Sequence, residues 1–389
     1  MQIQFSRRTD KLTSAIFAQL EQKKNELLAR GRTVINFSVG TPDLPPPPHF
    51  IKTLQEEAGR PENYIYALKD IPELVTAAQE WYARRFGVSL EPAELTSMMG
   101  SQDGLAHIPL TLADPGDVVL VPDPGYPIFS MGPFLAGATL YPLPLLRENN
   151  FLVDFERIDP AVAHRAKLIV VSYPGNPVTV TAPPQFYEKL IWFAKKYNIA
   201  VVHDNAYAEL VFDGKTGGSF LSFPGARDVG VEFNSLSKSY NIPGCRISFA
   251  LGNRALIAQL RNLKSHLDYG IFVPLQKAAV AALNGPQDCV AATARTYQAR
   301  RDLLLDGLAA IGWPIEKPPA TMFVWAPLPA KYTSSVQFTM ELLEKTGVIV
   351  VPGSSFGAGG EGYVRIALVQ AAEQIEKAIA LIKSSAILS

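Results

Sequence analysis

Residues 235–239 read Ser-Leu-Ser-Lys-Ser, and eight positions after Lys238 comes Arg246. Lys238 lies in a polar turn after the apolar-leaning run Val231–Phe233, and Arg246 opens the next apolar run, Ile247–Leu251. A lysine desolvated at a strand end is a natural Schiff-base nucleophile, because burial favours the neutral amine. Asp204 directly follows the run Ala200–His203. A carboxylate buried there without a partner costs several kcal/mol, so it needs a cation or hydrogen-bond donors. The turn Gly100-Ser101-Gln102-Asp103-Gly104 joins the run Leu95–Met99 to a helical pattern. Such a turn presents backbone N–H groups and a helix dipole to an anion, typically phosphate. It is neither a Walker loop nor a full dinucleotide fingerprint. Arg365 stands in the strand-like Gly362–Ala367, where its planar fork suits a carboxylate. Taken singly, each has a plainer account: a solvated lysine, a cap, a strand–helix connection, a structural ion pair.

The elements around these residues alternate. Apolar runs at Leu95–Met99, Val118–Val121, Leu168–Val171, Ala200–His203, Gly230–Phe233 and Ile247–Leu251 are separated by helix-like stretches such as Pro184–Tyr197 and Arg254–Leu267. That pattern predicts an α/β domain with a largely parallel sheet, which builds its ligand sites at the carboxyl ends of strands. After about residue 285 a long helix, Asp288–Ile311, precedes strands at Met322–Trp325, Val348–Val351 and Tyr363–Leu368. Helices around Val336–Lys345 and Ala371–Ser384 complete a smaller α+β domain. The expected division is an N-terminal arm over 1–45, a large domain over 46–280 and a small domain over 281–389. Four consecutive prolines, Pro45 to Pro48, are expected to run extended.

Composition narrows the function classes. The chain has 389 residues with 36 basic and 36 acidic side chains, a balance that argues against nucleic-acid binding. The first residues, MQIQFSRRTD, contain no apolar core of a signal peptide, and no apolar run nears the roughly 20 residues of a membrane span. The two cysteines, Cys245 and Cys289, are too few for a disulfide framework and read as free thiols in a cytoplasmic protein.

Together, in this chain order, the Gly-Ser turn, the Asn176-Pro177 pair, Asp204-x-x-Tyr207 and Ser235-x-Ser237-Lys238 with Arg246 resemble the class I/II aminotransferases of fold type I. The resemblance runs from Asn36–Asp43 to the Arg365 strand. It implies pyridoxal 5′-phosphate held covalently by Lys238, a seven-stranded-type sheet, and Asp204 paired with the pyridine nitrogen. It also implies Tyr207 and Asn176 on the ring's phenolic oxygen and Tyr126 stacked on the ring. The phosphate would take N–H groups from Ser101 and Gln102, the Ser235 hydroxyl and the Arg246 guanidinium. Arg365 would hold the substrate α-carboxylate, helped by Asn176 and the Gly40 backbone. Tyr66 would serve the phosphate of a neighbouring subunit, so the resemblance implies a homodimer with shared sites. The implied reaction moves an amino group from an L-amino acid to a 2-oxo acid by ping-pong kinetics, with no metal.

Within that family the stretch 223–253, with 263–272 downstream, looks most like the LL-diaminopimelate aminotransferase-type branch. It departs at Ile242-Pro243-Gly244-Cys245, where relatives read Met-Thr-Gly-Trp, and at Val178-Thr179 and Ala67–Pro72. These changes touch loops and no catalytic group. No arginine stands between Asn262 and Pro274 to read a distal carboxylate; Lys264, His266 and Asp268 there read as helix-end polar residues. The expected donor is diaminopimelate or a neutral, aromatic or long polar amino acid, with 2-oxoglutarate as acceptor. A β-lyase would use the same residues. A non-catalytic aminotransferase-like regulator is a further alternative, disfavoured by the intact Lys238, Asp204, Arg246 and Arg365 set.

Overall fold

The computed structural model describes residues 3–11 and 15–388. Two compact units divide it: Thr41–Gln298 with Pro319–Thr321, and a smaller one gathering the described residues up to Gly40, Ala299–Pro318 and the chain from Met322 onward.

The larger unit holds a seven-stranded sheet in the order Leu95–Met98, Ser248–Gly252, Gly230–Ser235, Ala200–Asp204, Ala166–Val171, Val118–Asp123, Thr139–Pro144. Only Ser248–Gly252 runs against its neighbours; every other pairing in the sheet is parallel. Helices cover such sheets on both faces, so the strands are continuous apolar runs, and every residue of Gly230–Ser235 is buried. Leu105 and Ile108 of helix Ser101–Leu112 pack with Val119, Val170, Val202 and Phe233 in one core. The strand that the apolar runs do not reveal is Thr139–Pro144. It carries Pro142 and Pro144, which an edge strand accommodates because half its backbone donors lack a partner anyway.

The smaller unit contains an antiparallel sheet, Val351–Pro352, Tyr363–Ala367, Phe323–Pro327, and a parallel pair, Ile35–Asn36 with Val348–Ile349. The single strand expected over Val348–Val351 is therefore two, split at Val350 between two sheets. The proline run also ends earlier than expected. Pro48 is the first residue of helix Pro48–Ala58, where its missing N–H is harmless and its fixed φ suits a helix. Both cysteines are free and half-buried, and among the described residues no helix is long and apolar enough to cross a membrane.

One close approach fixes how helix Ser101–Leu112 meets the sheet. A Cβ at Gly104 would collide with the Phe233 ring on strand Gly230–Ser235. Gly104→Val should therefore destabilise the protein by about 1–3 kcal/mol in denaturant unfolding. The better helix propensity of valine works the other way by under ~1 kcal/mol, so an unchanged or raised midpoint would contradict this packing.

Candidate active site

Sheet register brings the chemistry to one edge. Met98 pairs with Ser248, and Ser248 pairs with Ser235. Phe233 of the same strand lies opposite Asp204. The chain leaves these positions for Gly100–Gln102, arrives through Arg246, and leaves for Lys238. Four sequence-distant groups thus converge because four strand ends are in line.

At the first of these ends, Gly100 sits at φ +81° before helix Ser101–Leu112, a left-handed conformation natural to glycine. A Cβ there would strike the guanidinium of Arg246, which places that cation directly on the turn. Arg246 itself has φ 52°, an unusual value for a non-glycine residue, and its Nη1 donates to the Pro243 carbonyl at 3.2 Å. The Ser101 hydroxyl oxygen is buried and has no hydrogen-bond partner among the described residues. Tyr126 reaches the same turn, its hydroxyl donating to Gln102 Oε1 at 3.3 Å. A helix N-terminus, an arginine and an unmet hydroxyl form a fitting cradle for a phosphate.

At the second end, Lys238 lies on the single helical turn Leu236–Ser239, capped by Ser235, whose side-chain oxygen accepts from the Ser237 N–H at 3.1 Å. Asp204 closes strand Ala200–Asp204 and is 6% exposed. Its Oδ1 is buried with no partner among the described residues. Burial pushes its carboxyl up to about 6, against the pull of nearby His203 and Lys238. An acceptor left unmet in so dry a place fits a protonated ring nitrogen. Tyr207 and Asn176 are both buried in the loops after their strands, and the Ser172 hydroxyl donates to the Asp204 carbonyl at 3.0 Å, tying the Asn176 loop to the Asp204 strand. The larger unit thus gathers the residues expected to hold pyridoxal phosphate, and their unmet atoms match its phosphate and its ring nitrogen. Tyr66 is the exception. It stands on the surface, 80% exposed, with its ring 5.6 Å from that of Tyr269.

Arg365 and Gly40 belong to the smaller unit. The Arg365 guanidinium lies over the rings of Phe323 at 4.4 Å and Phe356 at 4.9 Å, and Nη2 donates to the Ser38 carbonyl at 2.7 Å. Two aromatic faces and a carbonyl orient the cation. Gly40 packs so tightly against Phe323 that any side chain would displace the ring.

Sequence reasoning passed over one buried group. Glu232 is fully buried and accepts from Tyr82 Oη at 2.8 Å, Ser219 Oγ at 2.8 Å and the Phe220 N–H at 2.7 Å. Its Oε2 lies 3.0 Å from His203 Nδ1, and its charge raises the proton affinity of Asp204. The one signal was an acidic residue inside an apolar run. Lys264 differs from the helix-end polar residue expected: its side chain is 7% exposed and paired with Asp103 and Asp268.

The family profile described as aminotransferase class I and II matches residues 32–382. The chain is 44% identical over 379 residues to an LL-diaminopimelate aminotransferase of Moorella thermoacetica, covering 97% of each chain. It is 45% identical over 380 residues to the enzyme of that name from Dehalococcoides mccartyi, covering 97% of this chain and 98% of the relative. The fold superposes with a TM-score of 0.94 on substrate-bound BacF from Bacillus subtilis, at 38% identity, covering 99% of this chain and 98% of the other. The chain belongs to the class I and II aminotransferases, enzymes of fold type I that work with pyridoxal 5′-phosphate.

Proposed function

We propose that this aminotransferase takes LL-diaminopimelate as amino donor and 2-oxoglutarate as acceptor. The observation that carries the donor is the identity of 44–45% to LL-diaminopimelate aminotransferases over nearly the whole of both chains. The reaction itself is that of the family. Pyridoxal phosphate supplies an electron sink for the charge left when a bond to the substrate Cα breaks. Lys238 Nζ would hold the cofactor and, as a free amine, would carry the proton taken from the substrate Cα. Asp204 would keep the ring nitrogen protonated. Ser101, Gln102, Ser235 and Arg246 would bind the phosphate, Tyr126 would cover the ring, and Tyr207 with Asn176 would hold its phenolic oxygen. Arg365, aided by the Gly40 backbone, would take the substrate carboxylate.

Tyr66 supports a shared-site homodimer. It belongs to an exposed apolar group, Tyr64, Ile65, Tyr66 and Leu68, with Leu267, Tyr269 and Phe272 also exposed. Tyr64 and Phe272 pack edge to face at 5.2 Å, so the two segments form one surface. Large contiguous apolar surface of this kind marks an interaction site, and a second copy lays Tyr66 against the phosphate of the neighbouring site.

Three measurements test the reading. In single-turnover mixing, LL-diaminopimelate should bleach the visible band of the loaded enzyme faster than aspartate or phenylalanine, and Lys238→Ala should lack both the resting band and turnover. A faster response to another donor replaces the substrate, and a Lys238→Ala protein that still turns over removes the anchor assignment. For Asp204, the folded-state pKa of about 6 lies above the ordinary 3.8, so its favourable contribution is complete below about pH 3.8 and is lost as pH rises through 6. Asp204→Asn should therefore make the cofactor-free protein more stable than wild type at pH 8, by up to about 3 kcal/mol. That gain should shrink toward pH 4, and the variant should release cofactor faster; a destabilised variant at pH 8 contradicts the burial account. Finally, hybrids of a Lys238→Ala chain with a Tyr66→Ala chain should regain one site of wild-type cofactor affinity, because both defects fall in the other site. No such site appears if Tyr66 serves its own chain.

A further inference from the structure

We propose that Lys264 is a positioning residue for the phosphate end of the site, acting by cancelling the charge of Asp103 beside the anion cradle. The inference rests on the reading of Gly100–Gln102 and Arg246 as that cradle.

Asp103 occupies the first turn of helix Ser101–Leu112, adjacent to Gln102. Its Oδ2 accepts from the Met99 N–H at 2.9 Å, on the strand side of Gly100, and so holds the turn closed from both ends. A carboxylate at this position complements the helix dipole. It also sets a full negative charge, 9% exposed, one residue from N–H groups that meet a phosphate. Buried charges are poorly screened, so this repulsion persists in salt. Lys264, from helix Arg254–Leu267, answers it: Nζ lies 2.6 Å from Asp103 Oδ2 and 2.8 Å from Asp268 Oδ1. His107 Nδ1 completes the group, 2.7 Å from Asp103 Oδ1. Although burial pushes the Asp103 carboxyl up, hydrogen bonds from His107 and Lys264 hold it at about 2. Asp103, His107 and Asp268 bring their ligand atoms within 4.8 Å of one another, and the cation lodged among them is the Lys264 ammonium.

That arrangement also separates two roles for Lys264. A lysine reading a substrate's distal carboxylate needs an accessible ammonium, whereas this one is buried and engaged by two acids. Its effect must therefore pass through Asp103.

The test is equilibrium titration of the cofactor-free, full-length protein with pyridoxal phosphate and, separately, with pyridoxal, which lacks the phosphate. Lys264→Met should raise Kd for pyridoxal phosphate by about tenfold or more, ~1.4 kcal/mol, and leave Kd for pyridoxal within about twofold. Adding Asp103→Asn to Lys264→Met should restore the phosphate-bearing ligand to within about threefold of wild type, because the buried charge is gone while the amide still accepts from Met99. Equal weakening of both ligands overturns the proposal, since a loosened fold does not distinguish them. So does a double variant that restores nothing, or an unchanged Kd with a raised KM for dicarboxylate acceptors. Should Lys264→Met not fold, the double variant decides alone: within about threefold of wild type supports charge cancellation, and a tenfold loss refutes it. Arg246→Ala separates the two layers. If it leaves pyridoxal phosphate binding intact, the cradle is misplaced and this proposal falls with it.

Discussion

The site is organised around a carboxylate that the chain buries without satisfying. Asp204 ends a strand in the middle of a seven-stranded sheet, with one oxygen dry and unmet. No arrangement of neutral neighbours makes that favourable, because a buried acceptor without a donor costs about 1–3 kcal/mol and a buried charge costs more. The fold tolerates it because the surrounding sheet is large and apolar, and on the proposed reading Asp204 meets a cationic ring nitrogen. The rise of its proton affinity is the same fact expressed as chemistry. Glu232, held by three donors and lying beside His203, raises it further from within the same pair of strands.

Cations are distributed in keeping with that constraint. Arg246 lies against Gly100, and Arg365 lies against two aromatic rings and a carbonyl. Lys264 sits between two acids. On the proposed reading the first two receive incoming anions, and the third removes an unwanted charge. Backbone geometry reinforces the distinction. Arg246 is held in a left-handed conformation, a cost that aiming its guanidinium at the turn offsets, while Lys264 needs no strain because it projects from a regular helix.

Much of this was legible in the sequence, for a physical reason. Parallel strands buried on both faces read as apolar runs, and their ends read as abrupt changes to polar or glycine-rich turns, so Lys238, Asp204 and Ser101 were visible as interruptions. Helices Pro184–Tyr197 and Arg254–Leu267 keep the bounds that their periodicity gave. Strand Thr139–Pro144 was not legible, because an edge strand is half-exposed and tolerates the prolines that disqualify a central one. The split of Val348–Val351 was hidden too, since two adjacent short strands in different sheets leave one apolar run. The network of Asp103, His107, Lys264 and Asp268 joins residues 161 positions apart. Nothing in the local pattern marks a helix-end lysine as buried; only the packing of two helices does that.

Reaction class and substrate choice rest on different kinds of structure. Breaking a bond at Cα requires a sink, an anchor, a base and a carboxylate clamp, and each demands a particular residue type. Recognition of the donor's far end demands only a surface of suitable shape, assembled from loops and, on the reading given to Tyr66, from a second copy. The departures at Ile242–Cys245, Val178-Thr179 and Ala67–Pro72 fall in such loops.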